Sequence, residues 1–289
     1  MKLAQVVTGQ LTMEKQINLN TTYTHLISIL ITQNGYSFFV LDRNIHQVIN
    51  YKSETILQAS ANSVLEKIDE ELKKNWKKEY PNAEIKICYH HSYFAIVPSE
   101  IYSPEFTSDY LKFNTQLFPN DSISEEEIEK LSVHIPFVPY INIHNELLDV
   151  YNLVEFTHSI HSSIEWAEKL CRNQNGEHAF AFVQKDSFVL VIFKDKQLQL
   201  ANYFDYVTAE DFTYYCLFAI EQFQLDREQM HFSMLGDVSI ESEIHHYMYT
   251  YIKNLVLISF EELHFKVDVN SEQSNFFNTN PFLALQLCE

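Results

Sequence analysis

The sequence predicts an α/β fold made of two tandem copies of one unit, each a mixed sheet flanked by helices. Three observations predict it. Residues 25–51 (HLISILITQNGYSFFVLDRNIHQVINY) and 178–203 (HAFAFVQKDSFVLVIFKDKQLQLANY) each read as apolar strand, polar turn, apolar strand, charged turn and third strand. Each triplet is followed by a segment whose apolar residues recur at spacings of three and four, which gives a helix one apolar face. Each of those helices is followed by a short apolar strand.

In the triplets, Ile, Val and Phe dominate, as pleated, half-buried surfaces favour. The charged turns are Asp42-Arg43-Asn44 and Lys194-Asp195-Lys196. With a one-residue gap near the first turn, the copies share His at the start and Asn-Tyr at the end, so the length difference is expected between Thr32 and Tyr36. A helix is expected at about 55–79, with Leu57, Ala61, Val64, Leu65, Ile68, Leu72 and Trp76 on its apolar face. The run Lys73-Lys74-Asn75-Trp76-Lys77-Lys78 ends it, where the macrodipole favours cations. The second helix, about 209–224, carries Phe212, Tyr215, Cys216, Ala219, Ile220 and Phe223, and Thr208 and Asp211 have capping-box spacing. These helices are expected to cover Ile27, Ile29 and Phe39 in one copy and Phe180, Phe182 and Val191 in the other. Short strands follow at 84–88 and 230–234, and the second copy adds a helix from Ser239 to Lys253 and a strand from Leu255 to Ser259. Glu125-Glu126-Glu127 reads as the first turn of an exposed helix capped by Ser124. The stretch Val133–Tyr140, with Pro136 and Pro139, is expected to end the first sheet. Residues 161–172 read as a helix stopping at Asn175-Gly176.

Three antiparallel strands, a helix, a parallel strand, a helix and a strand make a ribonuclease-H-like unit. Two in tandem make the actin-like ATPase architecture. The units are expected at 1–150 and 151–289. The Asn-Gly hairpin, the strand end Met234-Leu235-Gly236-Asp237 and the closing Leu287-Cys288-Glu289 resemble an uncharacterised Bacteroidetes family, a domain of unknown function (DUF3822) with an actin-like ATPase fold. The resemblance spans almost the whole chain. It implies the fold and brings no established activity, substrate or catalytic residue.

Relatives of this fold hold phosphate and hydrated magnesium between the units, on hairpins with an Asp-x-Gly type of turn. Glycine lets backbone N–H groups approach the phosphate, and the carboxylate orients water on the metal. The matching positions here are Gln33, Asn34 and Gly35 in the first hairpin, Asp186 and Ser187 in the second, and Gly236 at a strand-to-helix junction. Gln33 is neutral where the carboxylate belongs, the second hairpin lacks glycine, and Asp237 follows Gly236. The chain has four glycines in all, few for a fold that uses them in its phosphate loops. Asn34-Gly35 also reads as a plain hairpin turn, because both residues tolerate positive φ. Gly236 reads as a tight junction with Ser239 as the cap of the next helix.

Composition narrows the function classes. A formal charge of −19 repels nucleic acid phosphates and anionic membrane surfaces. No segment approaches the roughly 20 apolar residues of a membrane span, and the N-terminal residues show no signal-peptide pattern. The four cysteines lack metal spacing and read as reduced thiols of a cytoplasmic protein. Among 13 histidines, His90-His91 and His245-His246 are adjacent pairs whose side chains point apart, and only His158 and His161, with Glu165, have helical spacing for zinc. No nucleophile elbow or nucleotide-binding glycine loop occurs. The expectation is therefore a cytoplasmic binding or scaffold protein on a degenerate actin-like ATPase fold, with no metal, no cofactor and an unknown protein partner or a second copy of itself. The alternative is an ATP-binding enzyme or nucleotide switch that uses ATP and magnesium in the cleft between units.

Overall fold

The computed structural model describes residues 23–56, 61–71, 76–118, 121–140, 151, 153–260 and 268–287. Leu57, Leu72, the Lys73-Lys74-Asn75 run, residues 141–150, Cys288 and Glu289 lie outside these residues. The chain divides into two compact units, the first up to His158 and the second from Ser159.

In the first unit, strands β1 (His25–Thr32), β2 (Gly35–Asp42) and β3 (Gln47–Thr55) form the antiparallel triplet. Helix α1 (Ala61–Glu71) and a single turn, α2 (Lys77–Glu79), precede β4 (Ala83–His90), which lies parallel to β1. Strand β8 (Val154–His158) pairs with β4, giving the order β3-β2-β1-β4-β8. In the second unit, β9 (Glu177–Val183), β10 (Ser187–Lys194), β11 (Gln197–Asp205), β12 (His231–Gly236) and β13 (Asn254–Leu257) repeat it as β11-β10-β9-β12-β13.

Strand register shows how the copies correspond. Thr32 stands opposite Gly35, and Gln184 hydrogen-bonds across to Ser187, so both first hairpins turn on two residues. The first copy is longer in the second turn instead: Asp42 pairs with Gln47 across four residues, and Lys194 with Gln197 across two. Asp195 and Lys196 both take positive φ there, as a tight two-residue hairpin requires. Each edge strand then bulges at the equivalent place, β3 at Ile49 opposite Val40 and Leu41 of β2, and β11 at Gln199 opposite Ile192 and Phe193 of β10. The expected gap in the first hairpin is thus corrected, and His25 corresponds to Glu177, not His178.

That correction moves side chains between faces, because they alternate along a strand. Helix α5 (Ala209–Gln222) packs Phe212, Cys216 and Ile220 on the face made by Ala179, Ala181, Phe188 and Leu190. Phe180 and Phe182 lie on the other face. Trp166 of α4 (Ser159–Cys171) meets both edge-on, at 5.9 and 5.7 Å, and Phe282 of α8 (Pro281–Leu285) stacks on Phe182. In the first unit Ile27 and Ile29 pair with Val40 and Phe38, and Trp76 meets Phe38 at 4.4 Å. Phe39, opposite Ser28, faces away from that set. Val64, Ile68 and Trp76 are buried, as the periodicity requires. Lys52 joins α1 to the sheet, with Nζ 2.9 Å from Glu54 and 2.8 Å from Glu71, and its bond holds the Glu54 carboxyl down at about 2.

Local chemistry sets the ends of the helices. Thr208 and Asp211 form the expected capping box. Helix α6 (Glu243–Tyr251) is capped by Ser242, not Ser239, whose carbonyl accepts from Ser242. Helix α7 (Ser271–Asn278) has a box of Asn270 and Gln273. Gly176, after α4, takes φ of 102°.

The first unit also carries an insertion between β4 and β8. Strands β5 (Val97–Pro98), β6 (Ser124–Ile128) and β7 (Val133–Phe137) make a three-stranded sheet, with α3 (Thr107–Leu111) beside it. The glutamate run is therefore a strand and not a helix start, and the Pro136 stretch is its partner. Tertiary bonds outweigh local propensity there. Glu125 Oε1 lies 2.6 Å from His134 Nδ1, Tyr102 donates to Glu125, and the His158 N–H donates to Glu126 at 2.8 Å.

His90 and His91 are fully buried at the end of β4, and burial pushes both imidazoles down to about 3 from an ordinary 6.5. Such a group stabilises the fold above 6.5, and that contribution is lost as the pH falls toward 3, because the unfolded chain takes up the proton first. The urea midpoint should therefore fall between about pH 7.5 and about pH 5, at up to ~1.4 kcal/mol per pH unit for each histidine below 6.5. His91→Leu should flatten the fall; a pH-independent midpoint over this window would contradict the neutral buried pair.

Candidate functional site

The six residues matched to phosphate-loop positions fall in both units, and each set is built by its own unit. In the first, Gln33 and Asn34 are the two turn residues and Gly35 opens β2. None of the three has positive φ, so the left-handed argument for Asn34-Gly35 does not hold. The glycine has a steric reason. A Cβ on Gly35 would stand 2.1 Å from the carbonyl oxygen of Glu54 on β3. Nearby, the Ile56 N–H donates to the Asn34 carbonyl at 2.8 Å, and Thr32 Oγ1 donates to the Gly35 carbonyl at 3.2 Å.

In the second unit, Lys185 and Asp186 form the turn. The Gln184 N–H donates to the Ser187 carbonyl at 2.9 Å, and Ser187 Oγ lies 3.4 Å from Asp186 Oδ1. Tyr206 locks this tip twice. Its N–H donates to the Asp186 carbonyl at 3.1 Å and its hydroxyl to the Gln184 carbonyl at 2.6 Å. Gly236 ends β12 opposite Val183 with φ of 112°. A Cβ there would meet the Val183 carbonyl oxygen at 2.1 Å, and the Asp237 N–H already donates to that oxygen at 2.8 Å. Tyr206 thus holds the turn that carries Asp186, and Gly236 sits at the neighbouring strand end against Val183. Burial holds the Asp237 carboxyl above the usual range, with Lys185 opposing, and burial raises the Tyr206 phenol, with the charges of Asp237 and Asp186 adding. Two carboxylates beside one lysine make a poor seat for an anion.

The corresponding strand end of the first unit is different in kind. Thr32 pairs with His90, so Tyr89 and His90 stand where the second unit has Gly236 and Asp237. The Tyr93 N–H donates to His91 Nδ1 at 3.2 Å, and His158 Nε2 lies 3.4 Å from the same atom. The rings of Tyr89, Tyr140 and Phe137 close over this pair. Sequence reasoning saw His90-His91 and missed their burial; the apolar strand ending on them was the available signal. His158 ends β8 and His161 belongs to α4, so they do not share helical spacing. No group of three potential metal ligands occurs among the described residues. Cys88, Cys171 and Cys216 are buried free thiols.

Residues 14–255 match the family model described as a protein of unknown function (DUF3822). The chain belongs to the DUF3822 family. No curated protein sequence matches it. Among solved structures, the DUF3822 chain resembles a Bacteroides thetaiotaomicron VPI-5482 protein with actin-like ATPase fold and unknown function. The two are 21% identical, with 84% of this chain and 93% of that one covered and a TM-score of 0.69. It also resembles a chain of the PilM-PilN type IV pilus biogenesis complex, at 12% identity, with 93% and 98% covered and a TM-score of 0.55. The DUF3822 chain has the actin-like ATPase fold.

The glycines provide a test of this site. Gly236→Ala should cost about 1–3 kcal/mol or more, from a left-handed φ and a backbone collision together, and Gly35→Ala a similar amount from the collision alone. Gly176→Ala, with open space around the position, should cost about 1 kcal/mol. Urea midpoints read the order; equal midpoints for all three would remove the steric account.

Proposed function

We propose that the protein is a cytoplasmic binding or scaffold protein on an actin-like ATPase fold whose nucleotide chemistry has been lost. The observation that carries this reading is the use of Gly35 and Gly236. Each glycine admits a carbonyl of its own sheet, so neither is left to explain by a phosphate. The Asp237 and Gln184 N–H groups are likewise taken by Val183 and Ser187. Gln33 is neutral where a magnesium-orienting carboxylate belongs, and Asp186 and Asp237 repel an anion. ATP with magnesium does not fit this donor set. A protein partner fits the fold's precedent, because PilM is solved in a complex with PilN. The net charge of −19 argues against nucleic acid and anionic membrane as partners, and no helix among the described residues is long and apolar enough to cross a membrane.

Calorimetric titration of the purified chain with ATP and magnesium should show no binding up to millimolar nucleotide. Saturable binding, or ATP turnover abolished by Asp186→Ala, would establish an ATP-dependent enzyme or switch instead.

A further inference from the structure

The outer surface of the second unit carries a group of open aromatic rings. On α5, Tyr214 and Phe218 are 62% and 50% exposed, one helical turn apart, with rings stacked at 6.0 Å. On α6, Tyr247 and Tyr251 repeat the spacing and are also exposed. The two helices pack together, and the Tyr247 hydroxyl donates to Glu210 of α5 at 2.7 Å. Tyr251 lines a concavity of about 490 Å³ with Leu225 and Asp226, just past the end of α5. Exposed rings therefore lie on both helices, and Tyr251 stands at a hollow just past the end of α5.

Its charge is one-sided. From Gln197 to Asp226 there is no Lys or Arg, and there is none from Ser239 to Ile252. The same stretches hold exposed Glu210, Glu221, Asp226, Glu241 and Glu243. The flanking cations sit at the far end, where Arg227 lines the hollow and Lys253 pairs with Glu228 at 3.2 Å. Tyr and Phe rings rimmed by carboxylates, with Arg227, Lys253 and Lys194 confined to the far end, make a surface complementary to Lys and Arg side chains. Stacking holds Tyr214 and Phe218 before anything binds, so little rotamer freedom is lost on contact.

We propose that the α5–α6 face docks a basic segment of another protein, one that interleaves Lys or Arg with apolar residues. This deepens the binding reading above and rests on it. Cationic heads lie over the rings and beside Glu210 and Glu221, and apolar side chains cover Phe218.

The test uses the full chain and a fluorescent peptide that interleaves Lys and Leu at helical spacing, with the same peptide carrying Glu for Lys as control. Anisotropy should show saturable binding of the basic peptide and none of the acidic one. The double variant Tyr214→Ser, Phe218→Ser should bind it about tenfold or more weakly. Glu221→Lys should weaken it too, and both variants should keep the wild-type melting temperature because the residues are exposed. Binding that both variants leave unchanged would be attraction to the overall negative charge and would overturn the proposal, as would binding of the acidic peptide or no binding. A stable homodimer that the double variant breaks would also overturn it, with a second copy as the occupant. The nucleotide titration rests on other residues, so failure here leaves the loss of ATP chemistry standing.

Discussion

Register along β1 and β9 is the constraint on which the rest depends. Each strand is paired on both edges, antiparallel to its hairpin partner and parallel to β4 or β12. Each is buried on both faces along most of its length. A one-residue slip would exchange the faces of every side chain and break two ladders at once. With register fixed, Ala179 and Ala181 face α5, Phe180 and Phe182 face α4 and α8, and Ile27 and Ile29 share a face with Phe38 and Trp76.

The same register settles the strand ends. The antiparallel partner begins and the parallel partner ends within one residue of the tip, so backbones crowd there. Gly236 beside Val183 relieves that crowding, and Gly35 relieves another on the far edge of β2, against Glu54 of β3. In the first unit the parallel partner ends instead on Tyr89 and His90, and Tyr89 joins His91 in a buried aromatic and imidazole cluster. Related strand ends have thus been filled in two ways, one with glycine against a carbonyl and one with large rings. Both direct the local chemistry inward.

Much of the architecture was legible in the sequence because the signals were local and periodic. The triplets, the helix faces through Val64, Ile68 and Phe212, and the Thr208–Asp211 box all follow from spacing. What was not legible depended on pairing. Matching His25 to His178 and Asn50-Tyr51 to Asn202-Tyr203 weighted a few identities above register, and the resulting shift of one residue placed Phe180 and Phe182 on the wrong face. Glu125–Glu127 looks helical until Pro136 and Ile135 lie opposite. The candidate site was legible as positions and not as geometry. The sequence named Gly35 and Gly236, but the carbonyls that explain them belong to residues 19 and 53 positions away.

On the proposed reading these strand ends are closed by the chain's own backbone and are not held ready for phosphate. Hydrogen–deuterium exchange with and without ATP and magnesium tests it most directly. The amides of Ile56, Gln184 and Asp237, which donate to Asn34, Ser187 and Val183, should exchange slowly in the free protein and at the same rate with nucleotide present. Fast exchange at these amides, or protection gained at 33–35, 184–187 and 236–237 on adding ATP and magnesium, would contradict the account.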